Sequence, residues 1–205
     1  MKTLSFWTLL LICTRLAGLT VYWLCYLGMI ITGKVVDFDA PGGILANDGL
    51  TIATGLAGLV YLTTYMLSGV VTLFWLHGAA GNAKIIRPSF EFTPGWAVGW
   101  YFVPIANLFK PYEVLREIWI AGKGMVNGAY LKGTPRLAVW WLCNIGGGTL
   151  TGIASRMGAD MALFPVILYA IGLPLLFIST ITYFSLVREI HHDQLKNDTR
   201  IVDQF

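Results

Sequence analysis

Residues 93–121 read TPGWAVGWYFVPIANLFKPYEVLREIWIA, and how this stretch meets a bilayer decides the fold. It opens as an apolar segment, breaks at residues 104–107 (PIAN) and resumes after Pro111 with helical periodicity. The central question is whether residues 95–108 cross. As a straight helix they reach about 21 Å at about 1.5 Å per residue, short of a hydrocarbon core of about 30 Å. Pro104 shortens the usable run further.

Charge gives an independent answer, because Lys and Arg gather in the loops on the cytoplasmic side. If the segment dips in and returns, that side holds Lys2, Lys84, Arg87, Lys110, Arg116, Lys123, Lys132, Arg136, Arg188, Lys196 and Arg200, and only Lys34 and Arg156 lie outside. If it crosses, the five from Lys110 to Arg136 move outside and the bias vanishes. The pattern predicts a re-entrant segment over 95–108 with both termini in the cytoplasm. Non-helical backbone at membrane depth must be covered by protein or water, so the turn at Pro104 and Asn107 should be lined by other helices. The Asn107 amide can bond the backbone groups freed there.

The exit from the turn reads as an amphipathic helix over 111–121. Pro111 suits a first helical position, and Glu113 falls in the first turn, where the helix dipole favours an acid. Val114, Leu115, Ile118 and Trp119 form one apolar stripe, while Arg116 and Glu117 take other faces and Glu113 precedes Arg116 by three. Such a helix is expected to lie flat at the cytoplasmic interface.

Composition agrees with a membrane protein: 56% of residues are hydrophobic, 12% are charged and the mean hydropathy is +0.67. The net charge of +3 comes from loop residues, and no basic stripe interleaved with aromatics points to nucleic acid. Four full spans are predicted, at about 5–32, 50–76, 137–157 and 163–187, with a cytoplasmic tail at 188–205 that continues as a short helix before fraying. The fold class expected is an all-α polytopic helical bundle of four spans, one re-entrant segment and one interfacial helix, as a single domain over 1–205.

Within the spans, Arg15 is the notable charge, and snorkelling favours its placement in the cytoplasmic half, as a topology anchor or in a buried ion pair. The run before it reads as a retained first span, since no small-x-small cleavage pattern follows Lys2. Trp75 suits a headgroup belt. Gly148 and Gly152 make a small-xxx-small pattern that favours a close helix crossing. Pro174 should kink the last span, with Ser179, Thr180 and Thr182 able to bond freed carbonyls. Residues 33–49 should form an apolar external loop, residues 158–160 a brief external turn and residues 77–92 a polar connector. Cys13, Cys25 and Cys143 lie in apolar runs with no metal or disulfide spacing.

Trp75 and Asn82, followed by F-x-P-G-W-A-V-G-W-Y-F-V-P-I-A-N-L-F-K-P-Y-E-V-L-R-E-I-W from Phe92, resemble the bacterial membrane family called domain of unknown function 4328. The resemblance is strong over the middle third and implies this architecture, without an activity. The chain departs from the family pattern at His77, Gly78, Ala79, Ala80 and Gly81, where basic and aromatic residues are usual.

No catalytic triad, phosphate loop or HExxH pattern is present. His77, His191 and His192 share the cytoplasmic side and are weak metal candidates, since adjacent histidines on a helix point about 100° apart. Glu113 and Glu117, one turn apart, read as a salt-bridged surface beside Lys110 and Arg116. No cofactor is expected. The preferred function is a non-enzymatic accessory or scaffolding subunit in the inner (cytoplasmic) membrane, packing against another membrane protein or itself. The alternatives are a small transporter or channel built on the re-entrant segment, and a lipid-modifying enzyme at the cytoplasmic face.

Overall fold

The computed structural model describes residues 2–31, 49–126, 129–157 and 163–202; the expected external loop and turn fall outside these apart from Gly49. Helices α1 (Lys2–Ile31), α2 (Gly49–Ile86), α5 (Pro135–Ala154) and α6 (Leu163–Val202) are each long and apolar enough to cross a membrane, as in a multi-pass membrane protein. Large apolar side chains such as Leu59, Leu62, Phe74, Ile167 and Ile181 stand exposed on their outer faces. A helix apolar on every side requires lipid or protein all around it. Between them come α3 (Pro94–Gly99), two single 3-10 turns (Trp100–Phe102 and Ala106–Leu108), α4 (Lys110–Lys123) and a two-residue antiparallel ribbon, β1 (Met125–Val126) with β2 (Ala129–Tyr130).

Two helical hairpins make the bundle. In the first, the position a Cβ would take at Gly18 lies 3.4 Å from Tyr61 and Thr64 of α2, and at Gly58 it lies 3.3 Å from Tyr22 of α1. The Tyr22 and Tyr61 rings stack at 6.0 Å. In the second, α5 and α6 touch backbone to backbone: a Cβ on Gly147 would sit 2.8 Å from the Gly172 carbonyl oxygen. The Ser179 hydroxyl, on α6, donates to the Trp140 carbonyl of α5 at 3.1 Å. The close crossing anticipated at Gly148 and Gly152 is therefore formed by Gly147 with Gly172, while a Cβ on Gly148 or Gly152 would meet nothing within 4 Å. The reason is rotational: on a helix, neighbours point about 100° apart, so only one of Gly147 and Gly148 can face α6.

Three further expectations change. Residues 77–86 are helical, because α2 runs on through Ala79, Ala80 and Ala83, all buried, and stops where Pro88 disfavours helix at Arg87. The tail continues as helix, as expected, in one piece with the last span as far as Val202, so α2 and α6 reach about 57 and 60 Å at about 1.5 Å per residue and outrun a core of about 30 Å. Trp75 faces inward at 5% exposure, edge-on to Tyr183 at 6.5 Å, with Trp140 stacked on the same tyrosine at 5.2 Å. The hydroxyls after Pro174 bond elsewhere than predicted: Thr180 to Leu176, Thr182 to Ile178, and Ser179 across to α5. The main core lies where α2, α4, α5 and α6 meet, around Leu76, Leu115, Ile118, Leu137 and Leu186.

Candidate functional site

The folded-back segment is built by short-range chemistry. The Thr93 side chain accepts from the Trp96 amide at 3.3 Å and Pro94 takes the first turn, which starts α3. After Phe102 the backbone closes its own turn: the amide of Asn107 donates to Val103 at 2.8 Å, Leu108 to Ile105 at 3.2 Å and Phe109 to Ala106 at 3.1 Å. The Trp141 indole N–H of α5 then donates to the Leu108 carbonyl at 2.8 Å. The role expected of the Asn107 amide is thus filled by main chain and by Trp141, which the sequence reading did not single out. Its signal was the tryptophan itself, since a buried indole needs an acceptor. Val103, Pro104 and Ile105 are exposed, so the lining by other helices expected at this turn is not formed; its backbone groups are bonded within the segment and by Trp141 instead. Entry and exit lie together: the Lys110 ammonium sits 5.7 Å from the Phe92 ring centroid and 5.9 Å from that of Trp100.

Helix α4 packs its stripe on protein. Val114, Leu115 and Ile118 have no exposure and Trp119 only 5%, against α2, α5 and α6. Its charged residues pair specifically. Glu113 meets Lys110 at 2.6 Å, Glu117 meets Arg87 of α2 at 2.7 Å, and the Arg116 guanidinium donates to the Lys132 carbonyl at 2.8 Å, beside Gly133 at φ 124°. The Glu113–Arg116 pairing suggested by their spacing gives way to these partners.

A second set of side chains ties α2, α4 and α6 together. Gln194, 3% exposed, donates to the Ala79 carbonyl at 2.9 Å and accepts from Asn82 at 3.2 Å. Asn197 donates to the Gly122 carbonyl at 2.8 Å. Lys123 bridges Glu189 at 2.6 Å and Asp193 at 2.8 Å, and Arg136 also reaches Glu189. Burial alone pulls the Lys123 ammonium's pKa down, but hydrogen bonds and charge from Asp193 and Glu189 outweigh it, so the value is raised. A raised folded pKa means the contact is fully present below the unfolded value of about 10.4 and is lost only as pH climbs through the higher folded one. The arrangement is a polar clamp whose charges face each other. His77 and His192 are exposed, His191 is half-buried, and among the described residues no three His, Cys, Asp or Glu side chains gather as a metal site.

The other feature is a groove of about 740 Å³ between the two hairpins. It exists because α1 packs on α2, α5 on α6 and α1 on α6, while α2 and α5 barely touch. Tyr61 and Tyr65 form one wall, Asn144, Gly148 and Gly152 another, and Tyr169 closes the side. Asn107 is not on its wall. The Arg15 guanidinium lies 4.3 Å over the Tyr65 ring. The ion pair considered for Arg15 is replaced, among the described residues, by this cation–π contact.

A model of the family described as Domain of unknown function (DUF4328) matches residues 44–192. No curated protein and no solved structure matches.

Proposed function

The chain belongs to the family of that domain of unknown function, and from that premise we propose that it is a non-enzymatic accessory subunit that receives a transmembrane helix of another membrane protein in the groove between α2 and α5. The observation that carries this reading is the open small-residue face of Gly148 and Gly152, where an added Cβ would meet no atom of the described residues within 4 Å, fronting a groove of about 740 Å³. Small residues let helix backbones approach closely in lipid, where packing and not water exclusion drives association. A transporter would need an open path to Asn107, whereas the groove's wall does not include that residue.

Gly148→Leu is the test. The side chain has room, so the variant is expected to fold as wild type and to lose its companion: in mild-detergent extracts of native membranes, the wild-type chain migrates as a larger species and Gly148→Leu as a monomer. A wild-type chain that runs only as a monomer overturns the subunit reading.

The same proposal places the chain in the cytoplasmic membrane with both termini inside and residues 95–108 re-entrant. Support comes from Lys110 lying beside Phe92 and Trp100, which brings the segment's exit back to its entry. The stripe of α4 is taken up by the bundle, so the interfacial contact falls to Trp96, Phe102, Ile105 and Leu108, all exposed. A cysteine at Lys123 should resist a membrane-impermeant thiol reagent added to intact cells and react once they are permeabilised. Labelling in intact cells would place α4 outside and end the re-entrant assignment.

A further inference from the structure

Two polar side chains near mid-membrane depth line the groove from different helices, Asn144 of α5 and Tyr65 of α2. Trp75 of α2 and Trp140 of α5 pack on the same Tyr183, which sets the two helices level at one end. From the adjoining ends of the apolar runs, Asn144 stands about 10 Å along α5 from Leu137 and Tyr65 about 16 Å along α2 from Leu76, at about 1.5 Å per residue in a core of about 30 Å. Tyr65 meets Tyr61 and the Arg15 guanidinium through its ring. Among the described residues, neither its hydroxyl nor the Asn144 amide has a hydrogen-bond partner. Lipid tails supply none, so a polar group left unpaired at this depth is unfavourable. The groove these groups share, about 740 Å³, has the volume of sites that hold drug-sized molecules.

The donors on the two walls define what fits. Asn144 offers N–H and Tyr65 offers O–H, so an oxygen that only accepts satisfies both. Phospholipid esters lie at the edge of the core, about 15 Å from its middle, and do not reach this depth. A neutral ring carbonyl on an apolar tail does reach it, and it leaves the hydrocarbon with no donor of its own to be paired. The walls also present ring faces from Tyr61 and Tyr169, on which a flat ring stacks. We propose that the deep end of this groove binds the head ring of a lipid-soluble quinone, its carbonyl oxygens accepting from the Asn144 amide and the Tyr65 hydroxyl, with its isoprenoid tail leaving between α2 and α5. The inference goes beyond the subunit reading and uses a different part of the groove, because Gly148 and Gly152 lie about 6 and 12 Å farther along α5 from its inner end than Asn144.

The test titrates the full chain, in nanodiscs of zwitterionic lipid, with a quinone carrying one isoprene unit, and uses the carbonyl-free hydrocarbon of the same ring and tail as competitor. The quinone should quench tryptophan fluorescence saturably at one per chain. The hydrocarbon should displace it only at about fivefold higher concentration or more, about the factor one hydrogen bond supplies. Asn144→Leu and Tyr65→Phe should each weaken quinone binding about fivefold and leave the hydrocarbon's affinity unchanged, a split that loss of packing would not produce. Both variants are expected to fold: Tyr65→Phe keeps the ring beside Arg15, and Asn144→Leu places an apolar side chain of similar size in an apolar run. Quenching that never saturates, equal affinity for the two compounds, or variants that weaken both alike overturns the inference. Each of these outcomes leaves the subunit reading standing, because that reading falls only if the native chain runs as a monomer.

Discussion

Gly147→Ala is expected to lower the thermal midpoint of the purified chain sharply, with Gly148→Ala, one position along, as its silent control. The new methyl at 147 would sit 2.8 Å from the Gly172 carbonyl oxygen and 2.9 Å from the Leu176 side chain. A flexible side chain can turn away, but a carbonyl in the middle of a helix cannot, so α5 and α6 must separate. Overpacking of this kind costs about 1–3 kcal/mol, and Gly147→Leu should exceed that and abolish folding. At 148 the methyl meets nothing within 4 Å, and the change should stay within about 0.5 kcal/mol. Unfolding followed by intrinsic tryptophan fluorescence in mild detergent reads both. Equal effects at 147 and 148 would mean the crossing has another register.

That pair of glycines shows where sequence reasoning stopped. The Gly148–Gly152 spacing announced a close approach of helices, and composition and apolar length announced the spanning helices, because lipid exposure and close packing each demand particular residue types. Which glycine faces α6 depends on helix rotation, set by packing around Leu176 and Trp140, and periodicity in an all-apolar helix does not encode it. The same limit hid the inward face of Trp75 and the length of α2. A headgroup belt and a buried aromatic cluster both call for tryptophan. Ala79, Ala80 and Ala83 look like a polar connector's filler until α3, α4 and α6 are seen to cover them.

For the clamp, the residue types were legible and the partners were not. Spacing tied Glu113 to Arg116 along one helix, whereas the pairs that form include Glu117 with Arg87 and Lys123 with Glu189 and Asp193, between helices far apart in sequence. Local rules see i to i+3 neighbours, and one such pair, Lys110 with Glu113, does form; the others are tertiary and satisfy partly buried charges. The groove was least legible of all, since it is an absence of packing between α2 and α5. Only the unused Gly148 and Gly152 hinted at it.

Aspartate placed at two isoleucines of the folded-back region separates protein contact from lipid contact. Ile118→Asp puts a carboxyl at a position with no exposure, among Val114, Leu115 and Leu137. It loses the isoleucine packing, about 2–5 kcal/mol for removal of such a side chain, and adds an unpaired polar group at about 1–3 kcal/mol more. The expected result is no folded protein in any medium. Ile105 is 77% exposed at the turn, so Ile105→Asp breaks no contact of comparable weight, and in detergent its midpoint should stay within about 1 kcal/mol of wild type. In a bilayer the two environments part company. If the turn lies in the hydrocarbon edge, as a re-entrant segment requires, the aspartate is held in or near lipid, at a cost approaching the roughly 2.5–3.5 kcal/mol of a mid-membrane acid the deeper it sits. A micelle deforms to wet a charge more readily than a bilayer does. The midpoint of Ile105→Asp should therefore fall further below wild type in nanodiscs than in detergent. An equal shift in both media would put Ile105 in water, and residues 95–108 would then be a cap on the bundle and not a segment within the membrane.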